Sequence, residues 1–167
     1  MEAGAGTELD LGLLVLRVLV GVPLAAHGAQ KLFGWFGGGG LSGTAGWFAS
    51  LGFGSGRPAA VAAGVAETAG GLGLAAGLLT PGAAFGVIAV MTVAAFVNNA
   101  ENGFWSVRKG WELNGYLIVV AASLAIAGPG AYSADHLLGL DSSLPIGVAA
   151  IATGLAAGWV RWATRRR

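Results

Sequence analysis

Two ionisable side chains stand where a hydrophobic chain should have none. Arg17 lies inside the apolar run LVLRVLVGVPLAAHG, and Glu67 lies inside PAAVAAGVAETAGGLGLAAGLL. An unpaired guanidinium at the centre of a bilayer costs at least ~2.5 kcal/mol, so each charge calls for a partner. The simplest expectation is a buried ion pair between Arg17 and Glu67. A second polar group follows at helical spacing, His27, Gln30 and Lys31, and a third near the ends of later apolar runs, Asn98, Asn99, Glu112, Asn114 and Tyr116. Together they offer donors, acceptors and a titratable imidazole, the set that holds the polar head of an apolar ligand between helices. A quinone fits that description. Each group also has a plainer use: the ion pair as a lock between helices, and the cluster as interfacial polarity with Lys31 snorkelling to the surface.

The elements that must position these residues are membrane spans. With 55% hydrophobic residues, 10% charged residues and a mean hydropathy of +0.72, the chain is far from the ~25% charge of a soluble domain. Five spans are expected, at about 9–32, 58–79, 83–97, 111–127 and 145–162, in a single all-α membrane domain. Pro23 removes a backbone donor and is expected to bend the first span near Leu19 to Val22. Gly21 and Gly28 fall on the Arg17 face, where another backbone can approach. Residues 33–57 are too rich in glycine to span. They read as an interfacial loop, with Trp35, Phe36, Trp47 and Phe53 at headgroup level and a short helix from Gly43 to Leu51. In the second span Pro58 is tolerated in the first turn, and Gly70, Gly73 and Gly77 form a small-residue stripe. Thr80, Pro81 and Gly82 read as a tight turn.

The distribution of positive charge tests this division. Apart from Arg17, the lysines and arginines are Lys31 and Arg57 in the first connection, Arg108 and Lys109 in the third, and Arg161, Arg165, Arg166 and Arg167 in the tail. Five spans place them all on one side, which implies an N-terminus outside and a C-terminus in the cytoplasm. On that topology Arg17 lies ~12 Å and Glu67 ~18 Å from the outer ends of their spans, about one helical turn apart.

Composition also removes several chemistries. Cysteine is absent, which excludes disulfides, thiol redox chemistry and thiolate-held clusters. A net charge of +1 gives no concentrated basic surface for nucleic acid. His27 and His136 are expected at opposite faces, so they cannot straddle one haem iron, and no ligand spacing points to a metal site. The glycine runs neither follow a strand nor supply a P-loop lysine. The opening MEAGAGTELD lacks the basic region of a signal peptide.

The segment LRVLVGVPLAAHGAQKLFGWFGGGGLSGTAGWFASLG resembles the opening of the DoxX family of small bacterial membrane proteins. The likeness is carried by Leu16-Arg17, Gly21, His27-Gly28, Lys31-Leu32-Phe33-Gly34, the glycine run, Phe48 and Leu51-Gly52. GVAETAGGLGLAAGLLTPGAA is similar to the family's second helix with its acidic residue at Glu67. NGFW at Asn102 to Trp105 and GPGAYSAD at Gly128 to Asp135 are similar to later segments, so the likeness runs from about Leu11 to Asp135. The resemblance implies a four-helix membrane bundle, to which a fifth, C-terminal span is here added. It also implies an association with quinone or oxidative-stress metabolism, since named members include a subunit of a thiosulfate:quinone oxidoreductase. KGWELNGY stands where the family has a GGYE-like start, which carries the acidic role to Glu112.

The expectation is therefore a membrane subunit of a quinone-linked oxidoreductase in the bacterial inner membrane. It binds quinone or a redox partner and has no covalently bound cofactor or redox centre of its own. Its expected partners are the lipid bilayer, a soluble oxidoreductase and a second copy of the chain. A non-catalytic anchor for a soluble enzyme and a small-molecule or proton transporter are the alternatives.

Overall fold

The computed structural model describes residues 2–140 and 142–166; the side chains of residues 2–5 and 98–100 lie outside that description. The described residues form seven α-helices and no strand. They are α1 (Glu2–Phe33), α2 (Gly40–Ser50), α3 (Arg57–Ala76), α4 (Thr80–Ala94), α5 (Glu112–Ala127), α6 (Ala134–Leu137) and α7 (Leu144–Ala163). In α1, α3, α7 and the stretch Thr80–Val97, the helices are long and apolar enough to cross a membrane. At 16 residues α5 is shorter, ~24 Å at 1.5 Å per residue. The protein is a multi-pass membrane protein with an all-helical bundle.

Local chemistry sets the helix limits. α1 is continuous through Pro23. α3 carries Pro58 in its first turn and ends at Gly77, whose φ of 63° no side chain favours. There Leu78 N donates to Gly73 O at 2.8 Å, which closes the last turn. The tight turn therefore lies at Gly77 to Leu79. Thr80, Pro81 and Gly82, expected to form it, are instead the first turn of α4, where proline at the start of a helix loses no hydrogen bond. α2 occupies Gly40–Ser50 in place of the expected Gly43 to Leu51. α4 passes into a π-helical turn at Ala95–Asn99.

The bundle has two chemically distinct ends. At one lie the C-terminus of α1, α2, the start of α3 and the end of α7. They are tied by Thr44 Oγ1 donating to Lys31 O at 3.3 Å and by Arg166 N donating to Gly52 O at 2.8 Å. Among the described residues, every lysine and arginine except Arg17 belongs to a segment at this basic end. At the other end the loop between α5 and α7 folds over the α3–α4 turn and the early part of α1. Ala131 N donates to Asp10 Oδ1 there at 2.9 Å.

Glycine lets the helices approach. A Cβ at Gly21 would come within 2.7 Å of Ala75 N, and one at Gly28 within 2.6 Å of Gly64 O, so α1 and α3 pack backbone to backbone. α7 uses the same device. Gly147 faces the backbone of Ala125 on α5, while Gly154 and Gly158 face Ile88 and Thr92 on α4. The helix that is extra to the four-helix plan is thus seated against the core of Leu74, Val87, Ile88 and Leu124, all fully buried.

Candidate functional site

The expected ion pair between Arg17 and Glu67 is not formed. Glu67, buried on α3, pairs instead with Lys31 on α1, whose Nζ donates to Glu67 Oε2. Arg17 is fully buried and points to the opposite end of the bundle, where Nη2 donates to Tyr132 O at 2.6 Å and Nη1 to Ala75 O at 3.4 Å.

Two physical facts separate the pair. First, the helix ends are not level: Gly21 lies against Gly71 and Ala75, and Gly28 against Gly64 and Thr68. In that register Arg17 is level with the end of α3, and Glu67 lies ~15 Å further along the bundle. Second, helical side chains lean toward their own N-terminus. On antiparallel helices Arg17 and Glu67 therefore lean apart, while Lys31 leans inward to meet Glu67.

Arg17 belongs to a filled polar lock. Its guanidinium meets the carbonyl end of α3, where the helix dipole favours a cation. Asp135, 2% exposed, caps the adjoining start of α4. Its carboxylate accepts from Leu79 N at 2.6 Å, Thr80 N at 2.9 Å and Thr80 Oγ1 at 2.7 Å. Asp135 therefore faces the α4 start and not Arg17, on which it acts only as a nearby negative charge across the bundle end.

The Lys31–Glu67 pair lies on the wall of a cavity of about 460 Å³ enclosed by α1, α2, α3, α4, α5 and α7. That volume falls in the range of small-molecule sites. The walls are apolar, formed by Leu24, Phe48, Phe53, Val90, Met91 and Leu117 among others, and His27, Asn114 and Arg161 add polar points. Its lining residues Ala62, Phe85 and Ala157 are exposed, so the cavity reaches the outer face of the bundle between α3, α4 and α7.

Of the residues read from the sequence as a ligand-head cluster, His27, Lys31 and Asn114 line this cavity. Gln30 does not, but its Oε1 is 3.0 Å from His27 Nδ1 and orients the imidazole. Glu112 is withdrawn from the cluster, because its Oε2 accepts from Ser106 N at 2.8 Å and Ser106 Oγ at 2.7 Å and closes the loop before α5. Tyr116 faces outward, 56% exposed, with its ring 6.4 Å from that of Phe104. The side chains of Asn98 and Asn99 lie outside the described residues. His136 sits in α6 at the end opposite His27, so the two histidines are separated as expected.

Glu67 was legible in the sequence, with Arg17 as its expected partner in place of Lys31; two residues were not. Arg161 was read only as a topology signal, although its guanidinium stacks 4.5 Å from the Phe53 ring centroid at the cavity wall. Asp135 was visible only as the last residue of GPGAYSAD.

The fold and these positions agree with a known family, whose model, DoxX, matches residues 12–100. The chain belongs to the DoxX family. The match covers α1 to α4, with the α1–α3 pairing, Arg17, Lys31 and Glu67. It stops before α5 and α7, so Asn114, Arg161 and Asp135 come from outside the matched segment. No curated protein and no solved structure matches the chain.

Proposed function

We propose that this DoxX-family protein is the quinone-binding membrane subunit of an oxidoreductase system, with the redox centre carried by a soluble partner. The observation that carries the proposal is the Lys31–Glu67 pair set in the wall of an otherwise apolar cavity. An apolar ring and tail bury against Leu24, Phe48, Phe53 and Met91, and Lys31 is placed to donate to a quinone carbonyl. Glu67 holds the ammonium in position, and the exposed His27 imidazole, steadied by Gln30, adds a polar point to the wall. Quinone supplies the electron acceptance; this chain supplies binding, orientation and exclusion of water.

The positive-inside rule turns the basic end toward the cytoplasm of a bacterial inner membrane. The soluble partner then docks at the end to which α2 and the start of α3 belong. The test is mass spectrometry of small molecules that co-purify with the protein from native membranes. Near-stoichiometric ubiquinone or menaquinone is expected, lost in Lys31→Met and Glu67→Gln while thermal unfolding shows the bundle intact. Capture of a soluble enzyme with no bound quinone would replace this proposal with a membrane anchor.

A further inference from the structure

One charge in the cavity wall has no carboxylate to answer it. Among the described residues the one salt bridge is Lys31–Glu67, which leaves Arg161, exposed at the basic end, as the lining arginine with no carboxylate paired to it. The side chain is held in place: its guanidinium lies over the Phe53 ring at 4.5 Å. The end of its helix is pinned to the connector by the bond from Arg166 N to Gly52 O at 2.8 Å. From this cationic rim the cavity follows α4 from Val97 to Phe85, ~18 Å along the helix axis. An elongated apolar slot, open along the face between α3, α4 and α7 and with a cation at its basic end, is complementary to a long hydrocarbon chain that ends in an anion.

We propose that this cavity also binds an acidic amphiphile, a long-chain carboxylate or phosphate ester. Its headgroup pairs with Arg161, its chain lies along α4, and it competes with quinone for the apolar walls. The proposal rests on the cavity being a ligand site and needs no redox role. Neither the head contact nor the charge requires Lys31, which Glu67 neutralises. Arg161 is the specificity-determining residue because a guanidinium makes charge-assisted, bidentate bonds to carboxylate or phosphate. A neutral amphiphile of equal length gains only the walls.

The test uses the purified full chain in neutral detergent with three photoreactive probes that carry the same diazirine chain: a fatty acid, the matching fatty alcohol and a phosphatidylglycerol. Crosslinked peptides are located by mass spectrometry. The expected result is labelling of residues 85–97 by an anionic probe, with the alcohol about tenfold weaker, the scale of one charge-assisted contact. Arg161→Gln should lower anionic labelling to the alcohol level, and Arg161→Lys, which keeps the charge and loses the bidentate fork, should give an intermediate level. The acid against the phosphatidylglycerol decides whether the source is a free carboxylate or a lipid headgroup.

Equal labelling by acid and alcohol in the unmodified protein would overturn the proposal without reliance on any variant. Undiminished anionic labelling in Arg161→Gln would do the same. Quinone retained in Arg161→Gln while anionic labelling is lost supports both readings. Arg161-dependent labelling in a protein that carries no quinone would sink the quinone reading alone.

Discussion

The two polar clusters on α1 use the same kinds of side chain and do opposite things. At Arg17 the packing is tight: the fully buried guanidinium donates to the carbonyls of Ala75 and Tyr132 and meets the backbone at Gly77, and its Nε alone is left without a partner. At Lys31 the side chain is 27% exposed, and its carboxylate partner sits beside about 460 Å³ of cavity. The first arrangement leaves no room for a ligand, and the second does. A buried charge in a membrane bundle therefore marks a site only when packing around it is incomplete.

Equivalent surgery at the two ends should have unequal costs. Asp135→Ala removes the cap of α4 and strands Arg17 in the lock; breaking such a buried arrangement costs about 3–5 kcal/mol. Thermal or denaturant unfolding in detergent would show the loss, and an unchanged transition would show that the lock is not structural. Between the clusters, Gly71→Val pushes side-chain atoms into Ala25 and Gly21. It should cost about 1–3 kcal/mol, with loss of α1–α3 proximity by cysteine crosslinking.

At the open end the penalty shrinks. Glu67→Gln should cost about 1 kcal/mol, because Lys31 can swing its ammonium to the nearby surface; under the proposed function it nonetheless abolishes quinone retention. A large stability loss there would make the Lys31–Glu67 pair a second lock. The smallest effect is expected of Phe53→Leu, which keeps an apolar wall and removes the cation–π contact with Arg161. About 0.5–1 kcal/mol is at stake, with weaker acidic-probe labelling as the more sensitive readout.

Much of the fold was legible in the chain. The apolar runs, Pro58 at the start of a helix, and the glycine stripes announced the long apolar helices, of which four are long enough to cross a membrane, and their tight packing. The gathering of lysine and arginine on alternate connections fixed which helix ends lie together. The resemblance, read to about Asp135, exceeds the matched segment, which ends at residue 100. The site was less legible. His27, Lys31 and Asn114 line one cavity, but Glu112 left the group because Ser106 takes its carboxylate to close the loop before α5, and Tyr116 because its face of α5 turns outward.

What the sequence determined by itself is that Arg17 and Glu67 each needed a partner, since an isolated charge in hydrocarbon is too costly to persist. Which partner was decided only by tertiary structure. The register of two glycine-faced helices shifted the charges ~15 Å apart, and the lean of each side chain toward its own N-terminus turned them in opposite directions. Hydropathy reports how deep a residue must lie, whereas register and direction belong to the packed pair and appear in neither helix alone.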